Sequence, residues 1–587
     1  MATSPEIDLP KNSDLGVETT LYSPGITTFP VNDSQRSSDP AFSDRKDSER
    51  EKYDEQDEDM TDSETPVDSS NGEIVWKYLT FETELPHPTS IQPTTGSERG
   101  SPPVPPDLVK YTNPFDWTSQ RKDFTIWVAC AITALTAYSA GSYTPGVAQM
   151  SAEWGVSNVA VLVGITTFTT GFGVAPMVLA PFSEINGRRP VFIASGILFV
   201  ICQLCTGFTY SYAGMLVVRF LVGVGGSTFS TMVGGVVSDI YHADNRNTPM
   251  ALFSGAALFG TGWGPLMSGF IAQNLSWRWI FYIQTIMGAV MVAFICVIFK
   301  ETRGSVLLSR KAKALNKWYD EREAAGYYGF NLPDPEKPQM TISQRIRWKV
   351  KSDEERASLK TMISVSLYRP FHLLFTEPVV FWFSLWVAFS WAVLYLTLAA
   401  IPLVFQRNHG FSLQQSNAVF AAMCVGALIA SALSIYQERY ARKNGKFKNT
   451  PEDRLYFACV ESACLPIGMF MFGWTSGGSI HWIVPTIAVS IATIGIFTIY
   501  LCVFNYLADT YHRYASSALA AQSFCRNMLG GVFPLVTTQM YNNLGFGPAS
   551  SLLGGIGTLL TVVPWILVFY GPRIRARSKF ASEIIRT

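Results

Sequence analysis

The sequence predicts an all-α membrane protein, with twelve transmembrane helices in two pseudo-symmetric six-helix halves and a disordered N-terminal tail. Three observations carry that prediction. Apolar runs long enough to cross a bilayer core as helices, about 20 residues each, recur twelve times after Phe124. Lys and Arg collect in alternate connections between these runs. A short acidic and aromatic motif closes both the fourth run and the tenth.

The chain has 587 residues, 48% hydrophobic and 15% charged, with 45 basic residues balancing 45 acidic ones. That balance hides an uneven distribution. Residues 1–120 are polar and acidic, with the charge runs Asp44–Lys52 and Asp54–Asp59, and such a segment buries too little surface to fold. They are expected to form a disordered cytoplasmic tail, read either as a phosphorylation or ubiquitination region or as an unmodified solvated one. No charged segment followed by an apolar stretch opens the chain, so no cleaved signal peptide is expected. All nine cysteines lie inside apolar runs, where they read as small packing residues.

The first six spans centre near Leu135, Thr169, Leu198, Val224, Leu258 and Val290, within residues 121–299. A polar break at 300–373, expected as a cytoplasmic loop, contains the helix-like stretch Leu307–Trp318. Six more spans, within 374–571, centre near Val387, Met423, Gly468, Ile491, Leu529 and Leu559, and a basic tail occupies 572–587. Arg188, Arg189, Arg246, the central loop, Arg439 to Arg454, Arg513 and the C-terminal arginines all fall on one side. The other connections hold little beyond Glu153, Arg278 and Arg407. Basic connections stay cytoplasmic, so both termini are expected inside. The sequon at Asn274 falls in a connection too short for easy modification.

Span 5 carries Gly255, Gly260, Gly264, Pro265 and Gly269. In a soluble helix each glycine would cost roughly 1 kcal/mol and the proline about 3. In lipid, small residues let a neighbouring helix approach closely. Two readings stand: a tight packing face, or a bent span between two moving halves.

Duplication is visible in Asp239-Ile-Tyr-His242 and Asp509-Thr-Tyr-His512, followed at similar spacing by Pro265 and Pro534. Parallel six-span repeats place a substrate site near the midplane between the halves, with access alternating as they rock.

These motifs resemble the major facilitator superfamily, and within it the fungal twelve-span drug:proton antiporters. Arg219-Phe-Leu-Val-Gly223 is similar to the span 4 motif of that group, and Gly260-x-x-x-Gly264-Pro265-x-x-Ser268-Gly269 to its span 5 antiporter motif, with Ser268 in place of a glycine. Glu184-Ile-Asn-Gly187-Arg188-Arg189-Pro190 resembles the motif joining spans 2 and 3, departing from it at Ala180, Glu184 and Ile185. Lys300-Glu-Thr-Arg-Gly304, Pro451-Glu-Asp-Arg-Leu455 and the stretch from Asp509 to Leu535 are also similar to this group.

The resemblance implies a proton-coupled multidrug or toxin exporter of the plasma membrane, with Arg219 in coupling and Asp239, Glu184, Gly187, Arg188 and Arg189 at a conformational switch. Arg219 and Asp239 are 20 residues apart on one span, about 30 Å at the helical rise, so they serve at different depths. Ionisable groups inside spans are costly and are functional candidates by default. Glu461 in span 9 is open to two readings, a proton carrier or a neutral acid bonded to a neighbouring helix. Arg526 in span 11 is either a structural cation or the partner of Glu461. Span 1 carries no acid between Phe124 and Val147.

Tyr138, Tyr143, Phe168, Trp263, Trp391, Tyr395, Tyr500, Asn505 and Gln522 are the candidate cavity residues. Many rings with few charges suit flat, apolar or weakly cationic molecules. No phosphate-binding glycine loop, metal-spaced His/Cys cluster or nucleophile elbow is found, so no catalytic residue, metal or cofactor is expected, and an ion gradient is the energy source. The expected partners are the lipid bilayer, small-molecule substrates and protons, with no nucleic acid, and the chain is expected to be a monomer. Alternatives are export of polyamines or of one endogenous metabolite, and proton-linked nutrient import.

Overall fold

The computed structural model describes residues 73–88, 102–333, 341–445, 450–511, 514–578 and 580. The expected tail up to residue 72 lies outside the described residues. Span 1 is Ser119–Gly141, span 2 Asn158–Asn186 and span 3 Arg188–Phe208; span 4 joins Tyr212–Thr231 to Val233–Ile240. Span 5 is Asn247–Asn274 and span 6 Arg278–Ile298. Span 7 is Pro378–His409, span 8 is Ala421–Lys443 after a short helix Leu413–Ala418, and span 9 joins Tyr456–Glu461 to Cys464–Thr475. Span 10 is Ile483–Tyr511, span 11 Ala515–Leu544, and span 12 joins Phe546–Leu560 to Val562–Arg577. The breaks in spans 9 and 12 precede Pro466 and Pro564, whose missing N–H groups leave a carbonyl four residues back without its helical partner.

Ten candidate spans among the described residues are long and apolar enough to cross a membrane. Spans 5 and 11 fall outside that set. Both are richer in glycine and polar residues, and both are tucked against the opposite half, where helix neighbours replace lipid. Spans 7 and 10 are 83% and 72% buried along their apolar windows, whereas spans 6 and 12 are 28% and 33% buried. The latter pair therefore forms the lipid-facing periphery.

The packing repeats as the sequence does. Span 1 packs on 5, 2 on 4, 3 on 4 and 3 on 6; correspondingly 7 packs on 11, 8 on 10, 9 on 10 and 9 on 12. The halves meet where span 2 packs on 11 and span 5 on 8, contacts that exchange with each other under the same two-fold relation.

Span 5 answers both readings of its glycines. A Cβ on Gly264 would sit 2.5 Å from the Tyr138 carbonyl oxygen of span 1, and one on Gly260 would run into the Ala134 backbone. Gly141 returns the contact on the Thr261 carbonyl, the group that Pro265 deprives of its helical N–H. Gly255, Gly262 and Gly269, spaced by seven, point the other way, at Ser431, Met423 and Asn417 of the second half. One face welds span 5 to its own half; the other lies on the seam.

The segments expected to be tail and loop carry structure of their own. Strand β1 (Val75–Tyr78) pairs in parallel with β4 (Ile346–Lys349), and β2 (Phe330–Pro333) pairs antiparallel with β3 (Thr341–Gln344). Helix Gly304–Ala324 covers these strands and closes a small core of Leu79, Leu315, Tyr319, Phe330, Ile346 and Trp348. This corrects the expectation of a disordered tail for residues 73–88 and 102–118: its apolar residues find their partners in the central loop. That loop includes Trp318, whose Nε1 donates to the Pro103 carbonyl at 2.9 Å. Arg345 and Arg347 grip Glu323 at 2.7 and 2.8 Å. Burial pushes that carboxyl up, but the two arginines outweigh it and hold it below its usual 4.5.

Two predictions follow from this packing. Gly264→Leu drives a side chain into backbone and should sharply lower the folded fraction in fluorescence-detected size exclusion. Gly262→Ala meets only the flexible Met423 side chain and should fold near wild type; equal yields would show that the contact yields. For the cap, a carboxyl depressed by folding adds stability above its unfolded value, lost as pH falls through the lower folded one. Exchange protection of Val75–Tyr78 should therefore hold above pH 4.5 and drop below it. Glu323→Gln should flatten that dependence.

Candidate functional site

The Arg-rich face carries one ionic cluster in each half. In the first, the turn between spans 2 and 3 passes through Gly187 at φ 99°, where a Cβ would overlap the Glu301 carboxylate. Glu301 accepts backbone N–H groups from Arg188 at 2.8 Å, Arg189 at 3.3 Å, Thr302 at 3.1 Å and Arg303 at 3.0 Å. The Arg188 side chain turns inward to Asp239 at 3.1 Å and to the Ser183 hydroxyl at 2.7 Å. Arg303 reaches the other Asp239 oxygen at 3.1 Å. Asp239 thus ties the end of span 4 to the span 2–3 turn and to the chain leaving span 6. Glu184, expected at the switch, joins none of these bonds and is half-buried beside them. Arg189 instead donates to the Cys296 carbonyl at 2.6 Å.

The second half builds a related knot, with the sign changed at one of its positions. Asp509, at the end of span 10, pairs with Arg454 at 3.1 Å, as Asp239 does with Arg188. Here, however, the inter-span loop supplies the acid, Glu452, and the chain leaving span 12 supplies the base, Arg575, at 2.9 Å. The motifs Lys300–Gly304 and Pro451–Leu455 contained these residues, but their pairing was not legible from either one alone.

Hydrogen bonds join the halves at both ends of the seam. Near the Arg-rich face, Asn247 of span 5 donates to Glu438 at 2.9 Å and accepts from Asn505 at 2.7 Å. Arg442 reaches the Asp244 carbonyl beside them. Near the opposite face, Gln414 N–H donates to Gln273 at 2.7 Å, and along the middle of the seam Thr166 donates to the Gly531 carbonyl at 2.7 Å. Asn505, expected to line the cavity, therefore sits in the seam bond of the Arg-rich face. Asn247 was missed, since a lone Asn at a helix start carries no sequence signal.

Between these ends lie two buried guanidinium groups. Arg219 is fully buried, with its centre 4.7 Å from the Tyr143 ring and 4.6 Å from Phe168. Arg526 lies 4.4 Å from the Trp391 ring and 4.8 Å from Tyr500. Neither arginine forms an ion pair among the described residues. Nη1 and Nη2 of Arg219 and Nε of Arg526 make no hydrogen bond. The Arg526–Glu461 pair considered from the sequence is not formed: Glu461 instead accepts from Gln437 and from Thr498, the latter at 2.8 Å. Both of its oxygens accept, which makes Glu461 an acceptor between spans 8 and 10.

The profile of the Major Facilitator Superfamily matches residues 129–534. The chain belongs to that superfamily. It is 34% identical, over 80% of its length and 74% of the relative's, to the major facilitator superfamily multidrug transporter mdrA of Aspergillus fumigatus. It is 32% identical to the transporter paaT of Penicillium rubens, over 80% of this chain and 82% of that one. It is 30% identical to the ascochitine biosynthesis cluster MFS transporter of Didymella fabae, over 84% and 93%. The fold is similar to that of the partially occluded, inward-open xylose transporter XylE from E. coli, with a TM-score of 0.53 and 14% identity over 76% of this chain and 98% of that one.

Within this major facilitator frame the remaining candidates separate by place. Tyr138 and half-buried Trp263 meet edge to face at 5.4 Å on the span 1–span 5 side, and Gln522 is buried in span 11 with Oε1 unpartnered. Tyr143 and Phe168 belong to the Arg219 cage, where Tyr143 Oη also donates to the Val161 carbonyl at 3.0 Å. A cavity of about 1250 Å³ lies elsewhere, between the start of span 7 and span 12, lined by Glu377, Trp382, Leu559 and Ile566 among others.

Breaking a buried ion pair by removing one partner costs about 3–5 kcal/mol. Asp239→Asn should lower the thermal unfolding temperature of the detergent-solubilised protein, and Arg188→Gln likewise. The double variant should lose less than the sum, with a coupling of about 1 kcal/mol or more for groups in contact. Strict additivity would mean that the pair is not formed.

Proposed function

We propose that the protein is a secondary active exporter, moving small, mostly apolar molecules across the plasma membrane by alternating access in exchange for protons. The observation that carries the reading is the seam: two halves, each tied internally by ion pairs, joined among the described residues by hydrogen bonds that include Asn247 with Glu438 and Asn505 at one end and Gln273 with Gln414 at the other. Breaking one set while keeping the other opens the midplane to one face at a time. The direction is supported by relatives named as multidrug transporter and efflux pump. The bias of Lys and Arg supports a cytoplasmic placement of the ionic knots and of both termini. Exchange with protons is supported by the superfamily membership together with the absence of a phosphate-binding loop from the sequence.

The cavity reading changes in one respect. Cation attraction by the rings of Tyr143, Phe168, Trp391 and Tyr500 was expected to favour weakly cationic substrates, but those rings already carry the protein's own guanidinium groups. A substrate cation would meet like charge there. The relative from an ascochitine biosynthesis cluster favours a second reading, export of one endogenous metabolite with the same machinery.

The test is efflux of a panel of dyes, azoles and fungal toxins from cells expressing the chain, with and without a protonophore. Expressing cells should accumulate less compound, and the protonophore should erase the difference. Efflux that survives the protonophore would remove proton exchange, and greater accumulation in expressing cells would reverse the direction.

A further inference from the structure

We propose that the cavity between the start of span 7 and span 12 is a site for an anionic phospholipid, with its acyl chains laid along span 12 and its phosphate held at the Arg-rich end by Arg577. This goes beyond the exporter reading and stands without it, because binding a lipid requires neither a direction of transport nor a coupled ion.

The lining is graded along its length. Span 12 contributes residues from Ile556 to Arg577, about 30 Å apart at the helical rise. That is enough to follow one leaflet, half of a hydrocarbon core about 30 Å thick, and to reach past it to the headgroups. Toward the bilayer interior the walls are apolar, with Trp382 from span 7 and Leu559, Val563 and Ile566 from span 12. The polar and charged side chains gather at the other end: His372, Thr376 and Glu377 before span 7, Arg577 and Ser578 where span 12 finishes. Such a gradient fits an amphiphile better than a uniformly apolar molecule. The volume of about 1250 Å³ also exceeds the roughly 300–1,000 Å³ of a pocket for a drug-sized ligand. Leu559, Val562 and Ile566 are exposed, so the groove opens on the lipid-facing periphery and away from the seam.

The headgroup end selects for negative charge. Arg575 is taken by Glu452 at 2.9 Å, whereas Arg573 and Arg577, one turn apart on the same helix, are exposed and form no ion pair among the described residues. The acid in the lining, Glu377, is buried and accepts from Tyr511 Oη at 3.2 Å, which leaves the open rim to Arg577. A guanidinium fork matches two phosphate oxygens, and basic pockets between spans on the cytoplasmic side collect anionic headgroups. His372, against the rings of Tyr368 at 5.5 Å and Phe580 at 5.7 Å, brings an imidazole to the same end. It belongs to helix Leu359–Thr376, which packs on span 2 of the first half and span 11 of the second. An occupant of the groove therefore rests against an element that touches both halves.

The full chain would be placed in phosphatidylcholine nanodiscs in which one lipid in ten is either brominated phosphatidylserine or brominated phosphatidylcholine. Quenching of Trp382 is read as the difference between the wild type and Trp382→Phe. The brominated phosphatidylserine should quench that signal about fivefold more effectively, the preference that one basic residue beside an anionic headgroup supports. Arg577→Gln should bring the two lipids close to equality, and Arg577→Lys should keep part of the difference. Added glycerol 3-phosphate, a headgroup without chains, should leave the quenching unchanged; displacement by it would make this a site for a free phosphate and overturn the lipid. Equal quenching by the two lipids in the wild type, or an undiminished preference in Arg577→Gln, would also overturn the inference. So would a Trp382 signal that neither lipid quenches, and its appearance on deletion of residues 581–587 would assign the groove to the chain's own C-terminal segment. The wild-type comparison stands even if an Arg577 variant fails to fold.

Discussion

Charge withdrawn from water has to be answered by the protein, and this chain answers it differently at two depths. At the Arg-rich face the Glu301 carboxylate collects four backbone N–H groups and Asp239 two guanidinium groups. The demand of Glu301 fixes the backbone around it. Only a residue without a Cβ fits at Gly187, both because φ is 99° and because a methyl would occupy the space of the carboxylate. The turn between spans 2 and 3 is therefore shaped by an acid more than a hundred residues away. Around Arg219 and Arg526 no acid comes among the described residues, and aromatic rings do what they can.

The two-fold repeat holds for packing and fails for chemistry. Helix neighbours in one half have their mates in the other, yet Glu301 corresponds to a base, Arg575, and the turn that feeds Glu301 with N–H groups corresponds to a loop that offers Glu452. Either arrangement ties a peripheral span to the loop between two inner ones. What matters mechanically is that each half is knotted internally by buried or half-buried ionic bonds, while the seam is held, among the described residues, by hydrogen bonds and by glycines against side chains. Motion should then concentrate at the seam, since interfaces with two discrete packings shift as rigid bodies.

Much of the fold was legible because membrane helices announce themselves by length and apolarity, and because Asp239 and Asp509 marked corresponding ends. Spans 5 and 11 were found by count although they are the least apolar, their glycines and prolines explained by neighbours and not by lipid. The β1–β4 pairing was not legible, since four-residue strands in a charged segment have no periodicity to detect, and Leu79 declares its burial only beside Trp348 and Leu315. In the site, residue types were visible but partnerships were not. Arg188 and Asp239 were both singled out without their bond, Arg526 and Glu461 were considered as partners and are not, and Asn505 was singled out for a cavity without its bond across the seam.

The comparison between Arg188 and Arg219 shows why partnership decides role. Both are buried arginines in the first half. Arg188 has a carboxylate at 3.1 Å and a hydroxyl at 2.7 Å, so its energy is spent inside one half and holds a shape. Arg219 has ring faces and bare Nη atoms, so its strongest possible bond is one the folded chain does not make.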